Sequence, residues 1–360
     1  MSYYFEDRQM YVSEPTIPMG YQPGIDDEFY SLLAESYGLV GKLDGICRYA
    51  PNADLFIKLL SIQESCASCE LENIHVWFYD FFDSAHTSKG FALASNLLKA
   101  MKYANEYKFS ENLVIEIHGI LTTSEASGSK YRNSQGVSSN DVFYRYGSHP
   151  IPPNRIYSAI CEMEKYVSSI EYRNALFVAA RMQYQIEVLD PFDRHSRAIA
   201  RILSMSALRW GGLLTHPALW LSDYLLNTNI EYRDRIIAAY RQGEDMFSVL
   251  WIKFFLIAVI ASAKKSIKLI EVLTNMHDAH IAMLPKISNG NKLVLSIYDY
   301  AANSIIVNVR QISDALCISF SSVTKVVKAF EDSGILRQVT QKERYRQFGY
   351  VPVLDLFEYR

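Results

Sequence analysis

The chain has 360 residues, 49% of them hydrophobic and 21% charged, with a formal net charge of −3. That length suggests two or three domains and is ample for a large buried core, and the composition is ordinary for a soluble globular protein. The charge excludes the chain as a whole as an electrostatic match for DNA or an anionic membrane, while leaving room for a local basic patch. Cysteines at 47, 66, 69, 161 and 317 are odd in number and scattered, which argues against a disulfide framework and for a reducing compartment. Cys66 and Cys69 have no second pair and no strand-to-helix setting, so they read as small packed residues on a helix. The opening Met-Ser-Tyr-Tyr-Phe-Glu-Asp-Arg lacks a basic stretch followed by an apolar one, so no signal peptide is expected. The most membrane-like run, 247–263, is short for a span and carries Lys253, so a buried helix is expected there. No membrane partner is expected, and the expected location is the cytoplasm.

Residues 1–25, rich in Tyr, Pro and Gly, read as an arm or loop. Helices are predicted over 27–47 and 53–73, the second capped by Asn52. Helical pattern continues over 74–108, with a break at Ser88-Lys89-Gly90, and again over 109–120. Residues 121–150 hold many Ser, Gly and Asn, with strand-like residues from Val142 to Tyr146, and read as a loop and short β-hairpin. Asn154 starts the next helix, in which Ile156, Ile160, Met163, Val167 and Ile170 follow the stripe of one buried face. A central helix over 173–189, apolar on nearly all sides, is broken by Asp190-Pro191. Helices follow at 198–211, 219–226, 231–242, 246–263 and 265–283, and Pro285 to Asn291 is the best linker.

From Lys292 onward a separate module is expected. Helices over 293–302 and 309–316 precede a short turn at Cys317-Ile318. Ser319 caps a third helix over 320–332, closed by Gly334. Strand-like residues at 335–340 and 346–351 flank a polar tip. This order is a winged helix-turn-helix pattern. The third helix is the candidate recognition element, with Ser321, Ser322, Thr324, Lys325 and Lys328 on its polar face. Lys342, Arg344 and Arg346 form a basic tip suited to phosphates. The alternative is a module serving dimerisation or protein contact only.

The segment Gln183-Tyr-Gln-Ile-Glu-Val-Leu-Asp-Pro-Phe-Asp-Arg-His-Ser-Arg-Ala-Ile-Ala-Arg resembles the signature of the Fic (Fido) family, in which H-Y-Q-F-E-x-I runs into H-P-F-x-[DE]-G-N-G-R-x-x-R. Tyr184, Gln185, Glu187, Pro191, Phe192 and Arg201 match. Leu43-Asp44-Gly45 with Pro51-Asn52 is similar to the helical region preceding many Fic cores. Ser68, Glu72 and Asn73 fit the inhibitory pattern [ST]-x-x-x-E-[GN]. Gly128 to Arg132 and Ile151-Pro-Pro153 resemble the loop and flap before the core helices, and a C-terminal winged helix is common in the group. The resemblance implies a mostly α fold: N-terminal helices with the inhibitory helix over 1–108, a Fic-type helical core with a small β-hairpin flap over 109–284, and a winged helix-turn-helix over 292–360.

Members of that family usually transfer AMP from ATP to a protein hydroxyl. The motif His acts as base, the acid holds Mg²⁺, the glycine loop and helix N-terminus receive phosphate, and arginines neutralise it. Here the His position holds Asp190, the acid position Arg194, G-N-G is His195-Ser196-Arg197, the first Arg is Ala198, and Arg201 alone is kept. A carboxyl with an ordinary pKa of about 4 is a weak base, Arg194 repels Mg²⁺, and side chains at 195 and 197 restrict the loop. Three readings stand. The site is inactive or binds an anion, and the scaffold serves regulation. Alternatively, chemistry persists in altered form, with Arg194, His195, Arg197 and Arg201 in place of the metal's positive charge and Asp190 or His195 as base. Alternatively, the chain regulates transcription through the winged helix. ATP is the candidate ligand and Mg²⁺ is disfavoured. A protein target, DNA and a second copy of the chain are the candidate partners. The resemblance also implies an ion pair between Glu72 and Arg201, either inhibitory or simply structural.

Overall fold

The computed structural model describes residues 2–5, 10–13, 26–50, 53–82, 88–123, 130–134, 151–168, 174–242, 244–288, 292–340 and 346–357. The chain divides into two compact units, Met1–Val76 with Ser88–Ser266, and Trp77–Thr87 with Ile267–Arg360. Both are dominated by helices, as expected.

In the first unit β1 (Ser2–Phe5) and β2 (Met10–Ser13) pair antiparallel, with Tyr3 opposite Val12. An arm or loop was expected there. The β-favouring Tyr-Tyr-Phe and Tyr-Val runs explain the difference. The α1 helix (Asp27–Tyr49) begins at Asp26, whose carboxylate accepts the Phe29 N–H at 2.8 Å. The α2 helix (Ala53–Leu71) ends where Asn73 turns left-handed at φ 61° and the Ile74 N–H donates to the Cys69 carbonyl at 2.9 Å. Asn52, its expected cap, lies outside the described residues. No helix continues from there. The α3 helix (Lys89–Glu106) starts afresh, with the Ser88 hydroxyl accepting the Phe91 N–H at 3.1 Å. Ser88-Lys89-Gly90 is therefore a helix start rather than a break within one. A Cβ on Gly90 would lie 3.0 Å from Ile74 Cγ2 and 3.4 Å from the His75 carbonyl, so any other residue there would have to push the 74–76 segment back by a few tenths of an ångström.

The α4 helix (Glu111–Leu121) is capped by Ser110. The α5 helix (Pro153–Val167) begins on proline, whose fixed φ suits a first helical position, one residue before the expected start at Asn154. Ile156, Ile160, Met163 and Val167 are buried as one face. Ile170 and the expected hairpin strand at 142–146 lie outside the described residues. The α6 helix (Ala175–Leu189), capped by Asn174, and α7 (Ser196–Trp210) pack on one another and are buried on nearly every side. Short helices α8 (Ser222–Asn227) and α9 (Asn229–Gln242) follow. The α10 helix (Glu244–Ser288), whose residues to Ser266 belong to this unit and the rest to the second, is continuous where two helices were expected. Residues 261–265, Ala-Ser-Ala-Lys-Lys, are mostly good helix formers. Pro285 lies inside its last turn, where it gives up the N–H that would reach the Ile281 carbonyl, yet the helix runs on to Ser288, so the expected linker begins within the helix. The fully buried Trp251 donates its indole N–H to the Ala180 carbonyl at 2.7 Å, fixing α10 to α6.

The second unit holds α11 (Lys292–Ser304), β3 (Ile306–Asn308), α12 (Val309–Leu316), α13 (Phe320–Asp332), β4 (Leu336–Gln338), β5 (Gln347–Tyr350) and α14 (Val351–Phe357). The sheet is antiparallel in the order β3-β5-β4, with Ile306 opposite Gly349 and Leu336 opposite Tyr350. The bounds of α12 and α13 are those the capping signals predict. Asn308 and Gln311 form a reciprocal capping box, Cys317 takes the left-handed turn at φ 54°, and Ser319 caps α13. The β3 strand and α14 were not anticipated. A 3₁₀ turn at Phe78–Phe82 belongs to this unit: Phe78 stacks on Phe357 at 4.3 Å and the Tyr79 hydroxyl donates to the Leu354 carbonyl at 2.9 Å.

Candidate functional site

The site forms where α6 ends and α7 begins. Asp190 closes α6 in the left-handed region, at φ 42°, with its N–H on the Ile186 carbonyl at 3.0 Å. Pro191 cannot extend the helix. His195 opens α7, also left-handed, at φ 66°. Both conformations cost a residue with a Cβ and persist only where surroundings impose them. Between them Phe192 is fully buried, its ring stacked 3.8 Å from that of His118 and 5.3 Å from that of Tyr131. The Ser196 hydroxyl accepts the Phe192 N–H at 3.1 Å and donates to the Phe192 carbonyl at 3.2 Å.

Arg132 clasps this turn. It is 3% exposed. Its guanidinium donates to the carbonyls of Asp190 at 2.7 Å, Leu189 at 3.2 Å, Ile151 at 2.6 Å and Ser134 at 3.1 Å, and its backbone N–H to Pro191 at 3.0 Å. A cation on the last carbonyls of α6 also answers the negative end of the helix dipole. Burial lowers the Arg132 pKa, while the charges of Asp190 and Asp193 oppose that. The sequence reading placed Arg132 in a loop and gave it no task, because carbonyl partners leave no side-chain signature.

Across from α7, the end of α2 delivers a carboxylate. Glu72 accepts from His195 Nδ1 at 2.9 Å, and its other oxygen lies 3.9 Å from the Arg201 guanidinium. Arg201, 2% exposed, donates to the Ser68 hydroxyl at 2.7 Å. The expected Glu72–Arg201 pair is thus present as a long contact, and the short ones are Glu72–His195 and Ser68–Arg201. Burial pushes the Glu72 carboxyl up, but the His195 bond and charge, with Arg201 and Arg197, more than offset it and hold Glu72 below its ordinary value. Asn73 supplies the left-handed exit from α2 that leaves Glu72 at this point.

Two further buried acids surround Arg201. Glu64, 3% exposed and two turns before Glu72 on α2, accepts the Ser222 hydroxyl at 2.5 Å and N–H at 2.9 Å. Burial pushes its pKa up to about 7, with Ser222 and the Arg201 charge pulling the other way. Glu187 accepts from the Tyr232 hydroxyl and from Gln183 Nε2 at 3.2 Å, and burial raises it too, against the charges of Arg197 and Arg201. Ser68, Glu72, His195 and Arg201 are therefore brought together, with Arg197 near enough to act on Glu72. Arg194 is exposed on the turn and Asp190 half-buried beside Arg132. A cation at 194, and side chains rather than glycine at 195 and 197, do not fit a divalent metal ion on bound phosphates. In the second unit Ser321, Thr324, Lys325 and Lys328 are exposed along α13, and Ser322 turns its hydroxyl to Ser319 at 2.8 Å. Arg346 lies over the Phe348 ring at 5.8 Å. Lys342 and Arg344 lie outside the described residues.

Residues 30–107, from α1 through α3, match the family model described as Fic/DOC family N-terminal. A Fic family protein from Desulfovibrio desulfuricans G20 is structurally similar, with a TM-score of 0.58 at 13% identity, covering 92% of this chain and 98% of that one. A Fic domain containing signaling protein from Bacteroides thetaiotaomicron VPI-5482 is similar with a TM-score of 0.51 at 11% identity, covering 68% of this chain and 97% of that one. The chain therefore joins a Fic/DOC family N-terminal region to the fold of Fic family proteins.

Proposed function

We propose that this protein is a non-transferring Fic-fold regulator whose anion site is held closed by its own Glu72. The carrying observation is the Glu72 carboxylate bonded to His195 Nδ1 at 2.9 Å at the start of α7. A helix N-terminus with nearby cations is where a phosphate is favoured, and Glu72 is an internal anion occupying that role. Arg201, the arginine kept from the family pattern, is buried on Ser68 and Glu72 rather than presented to a ligand. Transfer of AMP lacks its base, because Asp190 at that position is an acid with little proton affinity at neutral pH. ATP is the candidate ligand, binding through its phosphates to His195, Arg197 and Arg194 once Glu72 withdraws. The test is calorimetric titration with ATP, without added metal, of the wild-type chain and of Glu72→Gly. Weak or absent binding that strengthens in the variant supports the reading. Tight binding to the wild type, unchanged in the variant, overturns it.

A second reading concerns the second unit. The helices α12 and α13, joined by the turn at Cys317, and the sheet β3-β5-β4 support a winged helix-turn-helix, with the exposed Thr324, Lys325 and Lys328 facing duplex DNA. Salt-dependent duplex binding is its signature.

A further inference from the structure

In the second unit four polar side chains meet in one unbranched chain. His277 and His280 come from α10, Tyr298 from α11 and Tyr350 from β5. His277 Nδ1 lies 3.1 Å from the Tyr298 hydroxyl, which lies 2.9 Å from the Tyr350 hydroxyl, which lies 3.3 Å from His280 Nδ1. Tyr298 is fully buried and Tyr350 is 3% exposed. The His280 ring stands edge-on to both tyrosines, at 5.9 Å and 5.7 Å, and Phe330 of α13 closes Tyr298 from another side at 6.3 Å.

A count of protons constrains this chain. Three contacts need three protons, one in each. The phenols supply two, and they keep them, because burial raises both hydroxyls above the ordinary tyrosine value. Each imidazole Nδ1 supplies one proton or none, according to tautomer and charge. With both nitrogens bare, one buried contact has no proton, which leaves oxygen lone pairs facing each other. With both protonated, four protons crowd three contacts. One Nδ1–H satisfies every group, and a buried polar chain is stabilising only when fully satisfied.

The surroundings choose which histidine gives the proton. Asp299 of α11 is coupled to His277. Both Asp299 and the exposed Asp278 place negative charge near Tyr298, at the His277 end of the chain. At the other end, burial and the His277 charge disfavour the charged form of His280, and a neutral ring with its proton on Nε2 can accept the Tyr350 hydroxyl at Nδ1. We propose that His277, Tyr298, Tyr350 and His280 form an acid-sensitive latch, in which the proton on His277 Nδ1 orders a one-way hydrogen-bond chain ending on bare His280 Nδ1, and protonation of His280 breaks it. The latch ties α10 and α11 to the central strand β5. Because the folded state resists protonation of His280, its contribution is present above the ordinary histidine value of about 6.5 and is lost as pH falls below it.

The test is long-range ¹H–¹⁵N NMR of the full chain labelled with ¹⁵N-histidine, with His277→Gln and His280→Gln variants to assign the signals. At pH 8 the expected result is His277 protonated on Nδ1 and His280 on Nε2. On acidification His280 stays neutral through pH 6.5. Tyr350→Phe, which removes the hydroxyl facing His280 Nδ1 while keeping the ring, is expected to release the neutral His280 ring from the Nε2–H tautomer, while the resistance to charging that burial imposes remains. Should that variant fail to fold, the wild-type tautomers alone decide. Both rings protonated on Nε2 at pH 8, or His280 protonated on Nδ1 there, overturns the latch.

Discussion

Replacing Glu64 by Gln should stabilise the protein at alkaline pH and leave it little changed at acid pH. Glu64 is 3% exposed and its pKa is pushed up to about 7, against about 4.3 in an unfolded chain. The folded state therefore binds the extra proton between those values. The neutral carboxyl's full contribution to stability is present below about pH 4.3, and it is lost as pH rises through about 7. At about 1.4 kcal/mol per unit, the full loss above pH 8 is on the order of 4 kcal/mol, of which about 3 falls above pH 5. Glutamine cannot ionise, yet it preserves both contacts: its carbonyl accepts the Ser222 N–H and its amide donates to the Ser222 hydroxyl. Urea unfolding of wild type and variant at pH 5 and pH 8.5 isolates the group, because all other titrations cancel in the difference. The expected outcome is a wild-type deficit that grows by about 3 kcal/mol between the two, with unchanged m-values. A difference independent of pH would refute the reasoning, since it would mean Glu64 is ionised in the folded state at pH 5 already.

Other perturbations follow from the same geometry. Arg132→Ala should cost about 3–5 kcal/mol in denaturant unfolding, since it strands the carbonyls of Asp190, Leu189, Ile151 and Ser134. Arg132→Lys should recover only part of that, because an ammonium cannot reproduce the fork. Glu72→Gln should raise affinity for inorganic phosphate, read by calorimetry, by roughly tenfold or about 1.4 kcal/mol, as His195 and Arg201 lose their internal counter-charge. The stability that Glu72 adds should fade as pH falls through the carboxylate range, because its folded pKa is lowered. Neutralising Lys325 and Lys328 together should weaken duplex DNA binding and reduce the log–log salt slope by about 0.9 per lost phosphate contact. An unchanged slope would remove α13 from the DNA interface.

Periodicity and punctuation made most of the helices readable. Asp190-Pro191 announced the end of α6, and Ser319 with Gly334 bracketed α13, because these signals act within a turn or two of their own backbone. Alternation over short runs was less telling: β3 is three residues long and took its identity from pairing with β5 rather than from its own sequence. The continuity of α10 past 263–265 had no breaker residue against it, and its end was hidden by Pro285, which reads as a stop although the helix runs on to Ser288. At the site, the resemblance of Ser68, Glu72 and Asn73 to the inhibitory pattern implied Arg201 as the partner of Glu72. It could not show that His195, 123 residues from Glu72, would take the shorter bond. That partner depends on the left-handed start of α7, which a histidine adopts only because the turn is clamped from both sides. Arg132 and Glu64 were invisible for a related reason: their partners are backbone groups and one serine from distant segments.

The most direct test of the account is transfer of label from α-phosphate-labelled ATP, to the protein or to proteins of a cell lysate. It compares the wild-type chain, Glu72→Gly, and Glu72→Gly combined with Asp190→Ala. The account predicts that Glu72→Gly binds ATP yet transfers no label, so that removal of the internal anion opens a site without a working base. Label that appears with Glu72→Gly and vanishes when Asp190→Ala is added would contradict it, and would make Asp190 the base of an active transferase.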